Sequence, residues 1–587
     1  MRSRRILLSV MAAGVVCGSS ACSVISVGGP PEQVKQGNAA DSLSKPFQRM
    51  VATEPQPDWD PVRTVKGMQA AMASFDDVEQ KILRSYLTPE AKRAWQPGNS
   101  VIVVEDNPSY VPVGDDIVQL EANQIAVIHD DGWYEPKREK LTLQFMVAKT
   151  PQGYRVSSLR NGLMLLTAAD VRRAYAPADI YFLGGSGSQD NLAALPVVDH
   201  VWLPINPTRS LAETIVDRLL EGPSESLRGA VSTAFDGLSL DRIATDEETV
   251  VVYLEGKKSD PMSVEALKRQ LQWSLREVTK GRNIEVRLNG ETFFDSAPLT
   301  IGSKDSDTWL RSPASKVYFV QNGQLMWLGA NGAGIAFPGP VGQLGDTYKE
   351  PAITGIPGPA KGDPAEYVAA LKSDGRSIWT NRLSPDSQWQ EAIKGTNLTP
   401  PAWNWNGTLW TVDRIDDHTS YVLRYDMSNL EQEVTRIAAP DLNGKHVMAF
   451  KVARDGTRVA AIVADGGAVS VMVGVIAGDR LDHFQTLYTA EKSEEIKDLA
   501  WKDSEHLIAL VGSSSGNTPR EIDISNGQLR ELAAHKHITS ISALNERLVA
   551  GTGADDEGGG KVLELVQDKW ADTKVQDGTS SPTFPLD

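Results

Sequence analysis

The run Tyr367-Val368-Ala369-Ala370-Leu371-Lys372-Ser373-Asp374-Gly375-Arg376-Ser377-Ile378-Trp379 places two apolar segments on either side of an Asp-Gly turn. Such a run predicts two antiparallel β-strands joined by a tight turn. Looser copies of the unit follow at residues 402–410, 448–460 and 499–509. Because the copies recur about every 35–50 residues and no amphipathic helix separates them, residues 315–587 are predicted to form a β-propeller-like domain of about five to seven blades.

The chain before the propeller mixes helical and strand patterns. In residues 58–175, apolar residues at helical spacing come first. Strand-like stretches follow, at residues 101–104, 118–120, 125–128, 141–147 and 154–156. Helices followed by an antiparallel sheet indicate an α+β domain, and this order resembles the nuclear-transport-factor-2 (NTF2) type of fold.

A second α+β domain is predicted at residues 176–300. Its helix at residues 211–220 is ended by Gly222-Pro223, and a buried strand follows at 250–254. Asn289-Gly290 is typical of a hairpin turn. Residues 301–314 are polar and are expected to form a linker to the propeller. The predicted fold class is therefore multidomain, with two α+β domains (NTF2-like and GerMN-like) followed by an all-β propeller-like domain.

The N-terminus has the layout of an export signal. Basic residues at 2, 4 and 5 precede an apolar run at 6–16, and the small residues 19–21 lead into Cys22. This layout predicts a lipoprotein signal peptide at residues 1–21, with Cys22 carrying S-diacylglyceryl and N-acyl groups. Residues 22–57 are rich in Gly, Pro, Ser and Gln and predict a flexible tether. The alternatives are lipidation at Cys17 and an ordinary signal peptide that is cleaved for secretion.

Charge and cysteine content exclude several classes of function. A net charge of −17 argues against binding to nucleic acid and to anionic lipid headgroups. The chain has 2 cysteines, and cleavage before Cys22 leaves one. An intramolecular disulfide, a cysteine zinc site and a cysteine nucleophile are then excluded. No cofactor is predicted.

The order of these segments resembles the LpqB lipoproteins of actinobacteria over nearly the full chain. The middle domain resembles the GerMN domain of spore-germination proteins. The residues that carry the resemblance are Tyr181-Phe182, Leu220-Glu221-Gly222-Pro223, Ser232-Thr233-Ala234, the strand at 250–254, Gly153-Tyr154-Arg155-Val156 and Leu159-Arg160-Asn161-Gly162-Leu163. For this family the resemblance implies an accessory role in the MtrA–MtrB two-component system. The partner would be the extracytoplasmic region of an MtrB-like sensor histidine kinase, met at the outer face of the cell membrane.

Motifs for catalysis are incomplete. Residues 184–188, Gly-Gly-Ser-Gly-Ser, lack the final glycine and the helix of a nucleophile elbow. Residues 42–45 have Ser-x-x-Lys spacing but lie in the tether, and the glycine-rich run 329–334 is not followed by a helix that would bind phosphate. We therefore predict that the chain is not an enzyme. A cell-wall glycan or peptide binding protein, or a hydrolase, is the alternative.

Two segments of the propeller could bind metal, and one could bind a ligand. His535 and His537 are spaced to share a strand face, and the acidic residues 555–557 could bind calcium through oxygen atoms. A turn and a solvated loop tip are the favoured interpretations. The aromatic residues Trp403, Trp405 and Trp410 are expected to fill blade cores, with a binding patch at the rim as the alternative.

Overall fold

The computed structural model describes residues 52–74, 80–184, 195–205, 209–246, 248–257, 261–296, 316–354, 367–427, 433–514, 516–553, 559–575 and 577–587. The chain forms two α+β domains followed by a propeller, which confirms the predicted fold class. Among the described residues, no helix is both long and apolar enough to span a bilayer. The predicted signal peptide and Cys22 lie outside the described residues.

The first domain begins with short helices. Helix α1 starts after Asp60, whose carboxylate accepts a hydrogen bond from the Arg63 backbone N–H at 2.7 Å, and it buries Val65 and Met68 completely. Thr167 and Asp170 form a capping box at the start of the fourth helix. The helices are α1 (Pro61–Met72), α2 (Lys81–Ser85), α3 (Pro89–Ala94) and α4 (Ala168–Ala174).

A six-stranded sheet packs against these helices in the order β5-β4-β3-β1-β6, and β2 pairs with β3. Its strands are β1 (Val101–Val104), β2 (Ser109–Pro112), β3 (Ile117–Ile128), β4 (Tyr134–Thr150), β5 (Gly153–Ser158) and β6 (Leu165–Thr167). The stretches 118–120 and 125–128 form one strand rather than two. A register shift between Gln124 and Ala126 allows pairing to continue through the polar residues that separate them.

The second domain contains a three-stranded and a four-stranded sheet, in the orders β8-β7-β9 and β10-β11-β12-β13. A capping box of Ser210 and Glu213 starts α5, and Gly222 ends it at a φ of 94°, a region that disfavours side chains. Asn289 and Gly290, both at positive φ, form the predicted hairpin. The elements are β7 (Tyr175–Gly184), β8 (Pro196–Pro204), α5 (Leu211–Glu221), β9 (Val231–Ser232), β10 (Leu238–Thr245), β11 (Thr249–Gly256), α6 (Pro261–Thr279), β12 (Asn283–Leu288) and β13 (Glu291–Ser296).

The third domain is a propeller with six four-stranded sheets in the described part of the chain. The first blade contains β14 (Tyr318–Gln321), β15 (Gln324–Leu328), β16 (Gly334–Ala336) and the last strand, β37 (Thr579–Thr583). Because β37 pairs with β14, the end of the propeller closes onto its beginning. Trp403 and Trp410 are each 1% exposed, which confirms that they fill blade cores.

The other five blades each run in chain order from the axis outward. Their strands are β17 (Tyr348–Ile353), β18 (Tyr367–Lys372), β19 (Ser377–Arg382) and β20 (Gln390–Lys394); β21 (Ala402–Trp403), β22 (Thr408–Asp416), β23 (Thr419–Asp426) and β24 (Thr435–Ile437); β25 (His446–Val452), β26 (Arg458–Asp465), β27 (Ala468–Ala477) and β28 (Arg480–Thr489); β29 (Glu495–Trp501), β30 (His506–Ser513), β31 (Gly516–Asp523) and β32 (Leu529–Glu531); and β33 (Ile538–Leu544), β34 (Arg547–Thr552), β35 (Val562–Val566) and β36 (Lys569–Asp572). The opening motif of the sequence forms the β18–β19 hairpin.

Candidate functional site

Several of the predicted site residues lie outside the described part of the chain. These are Cys22, the Ser-x-x-Lys run at 42–45, residues 185–188 and the acidic run at 555–557. Gly184 is described and ends strand β7. The glycine-rich run at 329–334 forms the turn between β15 and β16, so no helix directly follows it, as the sequence indicated.

His535 and His537 lie near each other, with ring centroids 6.0 Å apart and planes at 67°. Burial and the neighbouring His537 lower the pKa of His535. Among the described residues, no group of three or more His, Cys, Asp or Glu side chains is placed to hold a metal ion. The two histidines therefore have no third ligand in the described part of the propeller.

The first and second domains are joined by direct backbone contacts. Trp202 donates its backbone N–H to the Gly132 carbonyl at 2.8 Å, next to a bridge between Trp133 and Val201. The Asp131 carboxylate accepts the Glu225 backbone N–H at 2.6 Å. The turn between β3 and β4 thus holds two parts of the second domain: strand β8 and the segment that follows α5.

Arg458 joins the second domain to the propeller. Its guanidinium donates to the Val198 carbonyl oxygen on β8 and to the Asp455 carboxylate, the latter at 2.8 Å. The side chains of Arg458 and Asp455 are only 7% and 1% exposed. Val475 of β27 is part of the hydrophobic core of the second domain. Burial of a paired charge and a shared apolar core hold the two domains together.

A contact also connects the first domain to the propeller, since Arg138 on β4 donates to the Gly527 carbonyl at 2.8 Å. All three domains meet at a cavity of about 430 Å³ that is lined by Trp133, His200, Arg458 and Gln485, among others. Two buried polar atoms in its lining, His200 Nε2 and Gln485 Oε1, have no hydrogen-bond partner. Such atoms are commonly satisfied by ordered water.

His200 is the titratable group of this junction. Its Nδ1 lies 2.9 Å from the Asp179 carboxylate. Burial opposes protonation, but the hydrogen bond and charge of Asp179 prevail and raise the pKa of His200 above its usual value. An Asp–His pair orients an imidazole, as in many catalytic sites, but no nucleophile is hydrogen-bonded to its Nε2 in the described part of the chain. We therefore interpret the pair as part of the domain junction.

The axis of the propeller contains a second group of buried charges. Arg454 is 4% exposed, and its guanidinium donates to the carbonyl oxygens of Trp501 at 2.6 Å, Ala543 at 2.7 Å and Pro585 at 3.4 Å. One side chain thereby connects the blade of β25 to the next two blades along the chain and to the segment that follows β37.

Next to it lies an axial pocket of about 560 Å³ that is partly open to solvent. We define it by one residue from each inner strand, or from the segment preceding that strand: Glu350, Pro401, Lys451, Asp498, Ser540 and Pro582. Asp587 also lines this pocket. The enclosing wall raises the pKa of Asp498 to about 6 through desolvation, although Lys451 and the Ile541 and Leu499 N–H groups favour the charged form.

Comparison with protein-family models matches three consecutive parts of the chain. The model "Lipoprotein LpqB, N-terminal domain" matches residues 54–172, and "Sporulation and spore germination" matches residues 179–293. "Lipoprotein LpqB beta-propeller domain" matches residues 343–585. The chain belongs to the LpqB lipoprotein family. The resemblance found in the sequence is thus confirmed, including the GerMN-like middle domain.

Proteins similar to this LpqB-family chain cover nearly its full length. Lipoprotein LpqB of Thermobifida fusca is 25% identical, over 94% of this chain and 93% of that protein. Lipoprotein LpqB of Streptomyces coelicolor is also 25% identical, over 92% of each. The names of these relatives describe lipoproteins and no enzyme activity.

Comparison with solved structures gives low-scoring matches to parts of the LpqB-family chain. A chain of a nidogen–laminin complex has 12% identity and a TM-score of 0.35, covering 46% of this chain and 97% of that one. TolB from Acinetobacter baumannii has 11% identity and a TM-score of 0.34, covering 59% and 98%. Similarity at this level supports no conclusion on function.

Sequence reasoning missed Arg454, Arg458 and Asp498. The first two flank the Asp455-Gly456 turn, which the sequence indicates only as a turn between blade strands. Charged residues beside a turn are usually solvated, and only the fold shows that this turn faces another domain. Asp498 gave no clear signal either, because its strand also contains Glu495 and Lys497, and charged residues in a strand are usually solvated.

Proposed function

We propose that this chain is a lipid-anchored accessory protein on the extracytoplasmic face of the cell membrane. In this proposal it binds the outer region of an MtrB-like sensor kinase and modulates the MtrA–MtrB system, and it is not an enzyme. The observation that carries the proposal is the junction at Arg458, where this buried propeller residue donates to the Val198 carbonyl of the second domain and the two domains share an apolar core. We expect domains joined in this way to move together, so that a partner bound to one domain also affects the position of the others.

The lipid anchor and the tether limit the distance between the membrane and the folded domains. With lipid at Cys22, roughly 30 residues separate the membrane from the first described residue, and an extended chain of that length spans about 100 Å at most. A diacylglyceryl group supplies two acyl chains, which anchor stably where one does not. The net charge of −17 keeps the folded domains away from anionic headgroups and leaves them free to meet a membrane protein.

The outer face of the first sheet is the surface that we propose for docking. Val111, Val113 and Met146 are 42%, 42% and 54% exposed. Strand pairing places Met146 opposite Ile117, and Val111 opposite Gln119, so the three side chains share one face. Exposed apolar side chains that cluster in this way are typical of interaction surfaces. We refer to Val111, Val113, Ile117 and Met146 as the docking face.

Site-specific photocrosslinking in intact cells tests this proposal. A photoreactive residue replaces Val113 in the full chain, and the matched control replaces Val566, which is 50% exposed on the propeller. We expect the sensor kinase to be recovered from position 113 and not from position 566. Equal recovery from both positions contradicts the docking face, and no recovery at any position contradicts the partner.

The cell-wall binding alternative is favoured by one observation, the carboxylates of the axial pocket. The pairing of Asp498 with backbone N–H groups on both oxygens is typical of a fixed binding group. The ligand chemistry of this pocket is argued below, independently of the kinase.

A further inference from the structure

The inner strands of the propeller are irregular at the level of the axial pocket. A β-bulge redirects a side chain relative to a regular strand, and bulges are frequent beside functional sites. Glu350 and Ser581 in two of these strands have positive φ values of 50° and 49°, which non-glycine residues rarely adopt. The register shifts lie between Lys349 and Ala352 in β17, Val447 and Ala449 in β25, Ile496 and Asp498 in β29, Ile538 and Ser540 in β33, and Ser580 and Thr583 in β37.

The remaining blade reaches the axis through Pro400 and Pro401, immediately before β21. Proline has no N–H to donate to a strand ladder. Five blades thus depart from regular pairing around one pocket, and the sixth reaches it through two prolines. Because these irregularities recur in the strands around the pocket, we infer that they orient the side chains that line it.

The pocket has an excess of negative charge. Glu350, Asp498 and Asp587 contribute three carboxylates, whereas Lys451 is the one basic side chain in the lining. Lys451 Nζ lies 3.9 Å from Asp587 Oδ1, which is an ion pair without a hydrogen bond. The Glu350 side chain is exposed and has no hydrogen bond or ion pair to the described residues. The buried Arg454 beside the pocket also interacts electrostatically with Asp587. Two cationic side chains thus offset three carboxylates, and an excess of one negative charge remains.

Asp587 provides an independent indication of a missing hydrogen-bond donor. Its side chain is 1% exposed, and both carboxylate oxygens are buried without a hydrogen-bond partner. Lys451 and Arg454 offset its charge, but neither donates a hydrogen bond to it, and a buried carboxylate oxygen without a donor is costly. Lys451 compensates the charge of both Asp587 and Asp498. A further cation in the pocket would compensate Asp498, and Lys451 could then pair with Asp587 alone.

We propose that the axial pocket binds the primary ammonium group of a small organic ligand, between Asp498 and Glu350. The described carboxylates do not form a cluster placed to hold a metal ion, which favours an organic cation. Phe450 and the prolines Pro351, Pro401 and Pro582 form apolar walls that suit a hydrocarbon part of the ligand. The ammonium group donates to carboxylate oxygens, while the apolar part lies against these walls.

Isothermal titration calorimetry on the full-length protein in detergent micelles tests the site with n-pentylamine as the probe. The uncharged n-pentanol is the matched ligand. We expect pentylamine to bind and pentanol to bind at least tenfold more weakly. Glu350→Gln, a nearly isosteric change at an exposed position, is expected to weaken pentylamine binding about tenfold, because one carboxylate contact is lost.

Two further variants complete the test. Asp498→Asn is expected to weaken binding as Glu350→Gln does, and Glu546→Gln, at a position that is 93% exposed outside the pocket, to leave it unchanged. Absence of pentylamine binding at tens of millimolar overturns the proposal. Equal binding of pentylamine and pentanol, or equal binding by wild type and Glu350→Gln, also overturns it.

Discussion

Arg458 in the propeller donates a hydrogen bond to the backbone carbonyl of Val198 in the second domain while its charge is paired with Asp455. The contact joins residues 260 positions apart in the chain. Because the guanidinium is buried, neither partner can exchange the bond for water without opening the junction. This relationship is the basis for treating the domains as one unit.

Replacement of Arg458 by methionine is expected to destabilise the protein strongly. The change leaves the Asp455 carboxylate buried without its cation, a loss of about 3–5 kcal/mol in comparable ion pairs. We expect the unfolding temperature, measured by differential scanning calorimetry, to fall by on the order of 10 °C. The double variant Asp455→Asn with Arg458→Met should recover part of the loss. A single variant that melts like the wild type would contradict this role.

Arg454 is expected to be sensitive even to a conservative change. Lysine keeps the charge, but it cannot reproduce the fork that reaches the carbonyls of Trp501, Ala543 and Pro585. Each unsatisfied buried carbonyl costs about 1–3 kcal/mol. Hydrogen exchange of β37 should therefore become faster in Arg454→Lys, since the closing segment loses its contact. Exchange that is unchanged in β37 would show that Arg454 does not hold the closure.

Asp131 is expected to control the angle between the first two domains. Asp131→Ala removes the acceptor for the Glu225 N–H, whereas Asp130→Ala changes an exposed neighbour and is the matched control. Limited proteolysis should cut residues 222–228 faster in Asp131→Ala by several-fold. The Asp130 variant should be cut at the wild-type rate, and equal rates for both variants would rule out this contact as a hinge restraint.

Asp498 is expected to make the propeller more stable at mildly acidic pH. Its folded pKa is raised to about 6, because burial disfavours the charged form and the nearby Glu350 adds to this, against Lys451 and two N–H donors. The unfolded carboxyl ionises near pH 3.8, so between these values the folded state binds more protons. Stability from this group therefore falls as pH rises through about 6, by roughly 2–3 kcal/mol in total.

Thermal unfolding measured from pH 4 to pH 7 checks this sign. Relative to wild type, Asp498→Asn should lose most of the decline in stability between pH 4 and pH 7, and Glu546→Gln should retain it. Asp587, Lys451 and Glu350 also face the group, so the comparison uses the difference between variants rather than the wild-type curve alone. A decline that persists undiminished in Asp498→Asn contradicts the assignment.

Much of the architecture was predictable because it follows from local patterns. The Asp374-Gly375 turn between apolar strands indicated a blade hairpin, and Gly222-Pro223 marked the end of α5. These signals depend on backbone preferences within a few residues. The number of blades was not predictable, since the first blade takes its inner strand from the other end of the domain.

The buried charges could not be predicted from the sequence, for a different reason. Arg454 and Arg458 stand four residues apart beside one turn, yet one faces the propeller axis and the other faces another domain. Their partners are backbone carbonyl groups, which every residue has. The residue types in the sequence therefore do not indicate which carbonyls these arginines bind. The interruption of β3 was likewise misjudged, because a bulge allows polar residues to continue a strand.

The kinase activity of MtrB in reconstituted vesicles tests the central claim most directly. Full-length MtrB is placed in liposomes with the acylated protein or with its Cys22→Ala form, and phosphate transfer to MtrA is measured. We predict that the acylated protein changes the rate several-fold and that the Cys22→Ala form does so only at much higher concentration, because the anchor raises the local concentration. An unchanged rate at every concentration of both forms would contradict the account.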